Sequence, residues 1–215
     1  MTLAVVLIAA YLIGSIPTSY LVVYRFTGRD IRSIGSGNPG AMNVLDSVGV
    51  MPALIVGTSD IVKGMAAVGV AYVAGAGDSE AVMAALVAVV GHDYSVFLRL
   101  HGGNGMATMV GGLGALLPIE TFIATSLAVS VWFLLRSVHV VGAIGLPAMS
   151  GLDHWSGSWS RRAGGLIGLA ALPAFAYWFD APPVKLIGAV LLLTLTAVKI
   201  WRFEGFSPDR ARSDR

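Results

Sequence analysis

The sequence predicts an all-α polytopic membrane protein, with about seven transmembrane helices in a single integral membrane domain over residues 1–215. Apolar residues make up 56% of the chain and charged residues only 12%, a balance that one soluble core could not bury. Apolar runs close to the roughly 20 residues that one helical crossing needs recur along the chain. These runs are continuous and rich in small residues, which favours packed helices over strands.

Seven apolar runs give the predicted crossings, which in chain order are 3–23, 52–74, 80–98, 105–117, 120–136, 163–179 and 184–203. No basic residue precedes the first run, so we interpret it as a retained helix rather than a signal peptide. The fourth run is short for a crossing. A further piece, 139–149, is too short to cross and contains Pro147, which is typical of a re-entrant or interfacial segment.

The distribution of basic residues predicts the orientation, because Lys and Arg collect in cytoplasmic loops. Seven crossings, with the N-terminus outside and the C-terminus inside, leave Lys185 outside and Lys63 within a span, with the other Lys and Arg residues on the inner side. Two glycine-rich turns, 34–43 (IGSGNPGAMN) and 101–108 (HGGNGMAT), then lie on the same cytoplasmic face. We therefore expect the two turns to form one site.

The chemistry of the two turns favours a phosphate ligand. Glycine allows the backbone to approach a ligand closely, and successive free N–H groups attract anions. Residues 105–108 open a hydrophobic helix, whose dipole favours an anion at that end. In the first turn, Ser36, Asn38 and Asn43 add polar groups, and Arg32 adds a positive charge. For either turn alone, a plain surface loop is an equally good interpretation, because Gly and Asn are common in tight loops.

Ionisable residues also occur at membrane depth. Asp60 and Lys63 share one helical face, where each lowers the other's cost of burial, so a structural pair and a substrate-binding pair fit equally well. His92 closes the third span and could donate to a phosphate or move a proton, although a hydrogen-bonded interfacial histidine is commoner.

The sequence argues against several other classes of protein. The histidines show no metal-binding spacing and the chain has no cysteine, so we expect no metal and no other cofactor. The absence of a P-loop pattern argues against ATP hydrolysis. The net charge of +2 gives no indication of nucleic-acid binding.

Five motifs in this order, GSIPTSY, DIRSIGSGNPGAMNVLDSVG, DIVKG, VVGHDYSVF and GGNGMAT, resemble the bacterial acyl-phosphate:glycerol-3-phosphate acyltransferases, over roughly residues 11–118. The resemblance implies transfer of a fatty acyl group from acyl phosphate to the 1-hydroxyl of sn-glycerol 3-phosphate, giving lysophosphatidate for phospholipid synthesis. It implies a multi-pass protein of the bacterial plasma (inner) membrane, with its active site facing the cytoplasm. The expected partners are these two substrates and membrane lipid, without nucleic acid, and no protein partner is identified.

The resemblance places Ser36 to Asn43 in the family's first motif and the second turn in a segment linked with glycerol-phosphate binding. Asp60, Lys63 and His92 also fall at positions of the family's pattern. We expect the catalytic groups to be Ser36, Asn38, Asn43 and His92. We expect the substrate-binding residues to be Arg32, Gly37, Gly40, Asp60, Lys63, Gly102, Gly103, Asn104, Gly105 and Thr108.

The chain departs from the family's pattern at four places, one of which is the serine-containing segment after the fifth run, which Ser137 and His139 match only loosely. Asn104 stands where the glycine-rich motif has lysine, Asp46 stands where the family has arginine, and the polar C-terminal motif is reduced to Arg202 and Glu204. These departures leave open a non-catalytic or redirected relative that binds lipid or phosphate. A small-solute transporter is a less favoured alternative, because Asp60 and Lys63 at membrane depth would suit it but no inverted repeat is visible.

Overall fold

The structure, a computed structural model, describes residues 2–130 and 171–204, with side chains up to residue 200. The all-α prediction is confirmed for these residues, which contain helices and turns and no strand. The helices are α1 (Leu3–Ser15), α2 (Thr18–Thr27), α3 (Ala41–Ser47), α4 (Val50–Val73), α5 (Asp78–Asp93), α6 (Met106–Leu116), α7 (118–130), α8 (171–178) and α9 (Pro183–Glu204). Short 3₁₀ turns at Ile31–Ser33 and Val96–Leu98 follow α2 and α5.

Four stretches of the described residues are long and apolar enough to cross a membrane, which supports the prediction of a membrane protein. They are Leu3–Thr27, Val50–Val73, Asp78–Leu98 and Pro183–Ile200. Helix α6 is apolar but shorter, as the length of the fourth run indicated. The segment 139–149 and parts of the fifth and sixth runs lie outside the described residues, so the count of seven crossings stays a prediction, as does the orientation.

The predicted crossing at 3–23 is present as the span Leu3–Thr27, but it is not one unbroken helix, because the chain breaks between α1 and α2. Pro17 has no backbone N–H, and its ring cannot fit against the preceding turn of a helix. The break frees the carbonyl oxygen of Ile16, which accepts hydrogen bonds from Thr18 N at 2.9 Å and from Lys63 Nζ at 3.3 Å. A break at membrane depth is therefore satisfied by a side chain of a neighbouring helix.

Small residues bring the helices of the first compact unit, Met1–Leu116 with Pro183–Arg215, into backbone contact. Gly14 of α1 lies against the backbone of Ala88 in α5, and Gly64 of α4 lies against the backbone of Thr108 in α6. Helix α9 packs on α5 and α6 in the same unit. This close packing fixes the loops that follow α2 and α5 relative to the start of α6.

The second compact unit, Leu117–Pro182, contains α7 and α8. Pro118 begins α7, a first-turn position where the missing N–H of proline costs no helical hydrogen bond. The prediction that all of 1–215 forms a single domain stays a prediction.

Candidate active site

Asn43 shapes the first glycine-rich turn. The prediction that residues 34–43 are one turn is wrong at its end, because α3 begins directly after Gly40. Asn43 is buried on α3, where its Oδ1 accepts from Ser36 N at 2.9 Å and its Nδ2 donates to Ile34 O at 3.0 Å. Its amide is thus used inside the loop, so the structure gives Asn43 a positioning role and leaves its predicted catalytic role a prediction.

The rest of the first turn is held against α2. Gly37 has a backbone φ of +74°, a left-handed conformation that favours glycine. Pro39 O accepts a hydrogen bond of 2.9 Å from Ser19 Oγ of α2. The side chain of Asn38 packs against Gly40, and its Oδ1 is buried without a hydrogen-bond partner among the described residues. A buried amide oxygen without a partner is costly, which is consistent with a ligand contact at Asn38.

The second turn is anchored on the last residues of α5. Gly102 N donates to Asp93 O at 3.1 Å, and Gly103 N donates to His92 O at 3.2 Å. A side-chain Cβ at Gly102 would overlap the backbone of His92, and one at Gly103 would overlap the His92 imidazole. Glycine is therefore required at Gly102 by contact with the α5 backbone, independently of any ligand, whereas a side chain at Gly103 would have to displace the His92 imidazole.

The expected helix start after the second turn is present, because α6 begins at Met106. Its first helical hydrogen bond runs from Met109 N to Gly105 O, so the three preceding N–H groups have no intrahelical partner. The fully buried Asp93 carboxylate already lies against Gly105, and neither of its oxygens has a hydrogen-bond partner among the described residues. Thr108 is fully buried too, which places this predicted substrate ligand away from open solvent.

The two turns meet at one open cleft of about 670 Å³. The cleft is lined by Asp30, Arg32, Ser33, Ser36, Gly37, Pro39, Arg99, Leu100, His101, Gly102 and Lys199. A Cβ on Gly103 would lie 3.1 Å from Pro39 O, which shows how closely the second turn approaches the first. The spatial meeting of the turns, on which the predicted site depended, is therefore present in the structure.

An ion pair occupies one wall of the cleft. Arg32 Nη2 lies 2.6 Å from Asp30 Oδ2, and Arg32 Nη1 donates to Leu98 O at 3.2 Å. The hydrogen bond from Arg32 holds the pKa of the Asp30 carboxyl below its usual range, and Asp30 raises the pKa of Arg32. The pair is thus ionised at neutral pH, and its contribution to stability is lost as the pH falls through the lowered pKa of Asp30.

A buried polar network lies beneath the second turn. Asp60 Oδ1 accepts from Thr18 Oγ1 at 2.7 Å, lies 2.8 Å from Lys63 Nζ and lies 3.7 Å from His92 Nδ1. Lys63 and His92 line a small inner cavity of about 10 Å³ that Gly103 also touches. None of these three ionisable residues lines the open cleft. They support the two turns from behind, and their predicted direct contact with substrate stays a prediction.

Sequence reasoning missed Thr18, Asp93, Arg99, His101 and Lys199 as site residues. A lysine near the end of an apolar run is a recognisable signal for a site residue, whereas the charge distribution uses Lys199 only to set the orientation. Within residues 2–130 and 171–204, no group of three or more His, Asp or Glu residues is placed to hold a metal ion.

A sequence model of the family described as glycerol-3-phosphate acyltransferase matches residues 4–206. The chain belongs to this glycerol-3-phosphate acyltransferase family. The resemblance drawn from the five motifs is thereby confirmed, and the match extends into the C-terminal part where the motifs fade.

Curated members of the family share much of the sequence. Glycerol-3-phosphate acyltransferase 2 of Moorella thermoacetica is 47% identical over 116 residues, which are 54% of this chain and 59% of that protein. A glycerol-3-phosphate acyltransferase of Thermus thermophilus is 48% identical over 139 residues, which are 64% of this chain and 69% of that protein. The chain thus spans less than two thirds of the length of the first of these relatives and slightly more than two thirds of the second.

The fold matches a solved member of the family. The crystal structure of PlsY (YgiH), an integral membrane glycerol 3-phosphate acyltransferase in its glycerol 3-phosphate form, superposes with a TM-score of 0.77. The superposition covers 95% of this chain and 91% of that chain, at 22% sequence identity. The same protein in its lysophosphatidic acid form gives a TM-score of 0.72. The two proteins therefore share one fold.

Proposed function

We propose that the protein transfers a fatty acyl group from acyl phosphate to the 1-hydroxyl of sn-glycerol 3-phosphate, giving lysophosphatidate and inorganic phosphate for phospholipid synthesis. The observation that carries this proposal is the single cleft at which both glycine-rich turns and three cationic side chains meet. Membership of the acyltransferase family supports it. We propose further that the protein lies in the bacterial plasma membrane, with the cleft open to the cytoplasm and the N-terminus outside.

The lining of the cleft suits phosphate. Arg32, Arg99 and Lys199 supply positive charge, and charge-assisted hydrogen bonds to phosphate are stronger than neutral ones. Ser36 adds an exposed hydroxyl group on the first turn. Both proposed substrates carry phosphate, and the acyl chain of the donor would stay in the surrounding lipid while its head group reaches the cleft.

The departures from the family's pattern differ in their effect on this cleft. Asp46 is exposed on α3 and does not line the cleft, so its negative charge is not part of the site. Asn104 leaves the second turn without a cation, and its buried Oδ1 has no hydrogen-bond partner among the described residues. Asn104 is therefore the departure that keeps a non-catalytic, phosphate-binding relative as the second candidate function.

The chemistry requires little from a protein base. Acyl phosphate already carries a good leaving group, so groups that stabilise the oxyanion and the departing phosphate supply much of the catalysis. The acceptor's own phosphate has a second pKa of about 6 and can remove the hydroxyl proton near neutral pH. We propose this substrate-assisted route. His101 is the competing candidate base in the described cleft: its Nδ1 lies 2.6 Å from Arg99 O, which can only accept, so Nδ1 carries the proton and Nε2 is left to act as the base.

A phosphonate analogue of the acceptor, with its higher second pKa, tests the route. We expect the acidic limb of the pH–rate profile to move upward with the pKa of the acceptor, and we expect the His101→Gln variant to keep that limb. An unchanged profile with the phosphonate, or a limb that disappears in His101→Gln, would reject substrate assistance and favour the imidazole.

Purified protein in lipid vesicles tests the function itself. With radiolabelled glycerol 3-phosphate and palmitoyl phosphate, we expect labelled lysophosphatidate, and with an acyl thioester we expect none. Gly102→Ala should abolish product because its Cβ would overlap the His92 backbone, whereas Gly69→Ala, which has open space around it, should retain activity. Binding of glycerol 3-phosphate without turnover would favour the non-catalytic relative, and accumulation of the label inside sealed vesicles would favour a transporter.

A further inference from the structure

We propose that Lys199, near the end of α9, is the cation that binds the phosphate of glycerol 3-phosphate in the cleft. The inference rests on the proposed function and adds a residue that determines acceptor binding. Residues 101–105 contain no Lys or Arg, so the second turn brings no strong cation of its own to the phosphate. The required charge therefore has to come from another part of the chain.

Lys199 lies directly at the anchor of the second turn. Its Nζ donates to Asp93 O at 3.2 Å, and the same carbonyl oxygen accepts from Gly102 N at 3.1 Å. The ammonium group of Lys199 and the backbone of the second turn thus donate to the same carbonyl oxygen. Although Lys199 is distant in sequence, the shared acceptor places its ammonium group beside the second turn.

The Lys199 side chain is held in place and keeps donors for a ligand. Its Nζ lies 4.1 Å from the centre of the Tyr94 ring, a cation–π contact that orients the ammonium group. An ammonium group has three N–H donors. Within the described residues, one of them bonds to Asp93 O, which leaves two for the oxygens of a bound phosphate.

The other two cations of the cleft are less suited to this role. Arg32 is already neutralised by Asp30 in the ion pair of 2.6 Å. Arg99 is exposed to solvent, where water and salt screen its charge. Lys199 is only partly exposed and forms no ion pair with a described carboxylate. Its charge is therefore less compensated than that of Arg32 and less screened by water than that of Arg99.

The lining of the cleft assigns this phosphate to the acceptor rather than to the acyl donor. Seven of the eleven lining residues carry charged or polar side chains, and Leu100 is the one large aliphatic side chain among them, although much of the surface that faces the cleft is apolar. The ammonium, guanidinium and hydroxyl groups of this wall match a small, water-soluble dianion. The head group of acyl phosphate has to stay within reach of an acyl chain in lipid, so it would bind where the cleft borders the membrane.

Steady-state kinetics of Lys199→Met test the inference, because methionine keeps much of the apolar stem and removes the charge. We expect the KM for glycerol 3-phosphate to rise about tenfold or more, as for the loss of a charge-assisted hydrogen bond, with the KM for acyl phosphate and kcat nearly unchanged. Lys199→Arg should keep most of the affinity. Asn104→Lys added to Lys199→Met should lower the KM for glycerol 3-phosphate again.

Lys185 supplies the matched control on the same helix. It pairs with Asp78 at 3.2 Å and does not line the cleft, so Lys185→Met should leave both KM values unchanged. In the wild-type protein, glycerol 3-phosphate should slow labelling of Lys199, but not of Lys185, by an amine-reactive reagent detected by mass spectrometry. This measurement needs no variant, so it decides the question even where Lys199→Met fails to fold.

The outcomes separate the two proposals. Three results would overturn the role of Lys199 and leave the acyltransferase function in place. They are an unchanged KM for glycerol 3-phosphate in Lys199→Met, a rise in KM for acyl phosphate alone, and labelling of Lys199 that glycerol 3-phosphate does not slow. The wild-type protein could instead yield no lysophosphatidate but bind glycerol 3-phosphate in calorimetry, with that binding lost in Lys199→Met. This result would overturn the acyltransferase function and support the phosphate-binding role of Lys199. Absence of binding in the wild-type protein would overturn both.

Discussion

Lys63→Met is expected to destabilise the protein by about 3–5 kcal/mol, because it leaves the buried Asp60 carboxylate without its partner. The side chain of Asp60 is 2% exposed and that of Lys63 is 6% exposed, so water cannot replace the lost ion pair of 2.8 Å. The Ile16 carbonyl at the α1–α2 break also loses its Lys63 donor. Thermal unfolding in detergent would measure the loss.

The double variant Asp60→Leu with Lys63→Met is the matched control for this effect. Removal of both charges replaces a broken ion pair with apolar contacts, which in other buried pairs is often close to neutral. We expect the double variant to be more stable than Lys63→Met alone. A double variant that is less stable than the single one would mean that Asp60 stabilises the fold without Lys63, through Thr18 or His92.

Gly64→Ala is the second variant with a large expected effect. A Cβ at Gly64 would overlap Thr108 O of α6 and would lie 2.8 Å from Gly112 N, and both are backbone atoms that cannot rotate away. Helices α4 and α6 would have to separate, at a cost of about 1–3 kcal/mol or more. Because the second glycine-rich turn leads into α6, acyl transfer should fall along with the unfolding temperature.

Gly69→Ala on the same helix is the control for Gly64→Ala. Nothing lies within 4 Å of a Cβ at Gly69, so the substitution should gain helix propensity worth up to about 1 kcal/mol and keep activity. Equal unfolding temperatures for the two variants would show that the α4–α6 crossing tolerates separation.

The apolar pattern predicted the helices because their burial in lipid imposes run lengths that can be measured on the sequence. The hydropathy pattern does not predict the break at Pro17, because the run is apolar on both sides of the proline. The break follows from the missing N–H of proline, which a hydropathy scale does not measure. The break is stabilised by the hydrogen bond from Lys63 Nζ to Ile16 O, which joins distant segments of the chain. Boundaries of this kind follow from tertiary hydrogen bonds that local patterns do not contain.

The sequence predicted the parts of the candidate site that lie within the two glycine-rich turns. It did not predict the residues that reach the site from distant segments of the chain. Glycine and serine in the two turns indicated backbone binding of phosphate, and both turns line the cleft. The burial of His92 and Thr108 and the arrival of Lys199 from α9 depend on how helices pack, which the spacing within a motif does not encode. Asn43 is an example, because the sequence does not show whether its side-chain amide binds a ligand or forms hydrogen bonds within its own loop.

Of the described residues that line the cleft, Lys199 is the last to be synthesised, after all those between Asp30 and Gly102. A chain still growing on the ribosome would already hold both turns but would lack the ammonium group beside them. The pocket of such a nascent chain would remain deficient in positive charge until α9 enters the bilayer. Under the proposed function, translation of α9 would thus be the step that completes the cleft for an anionic substrate.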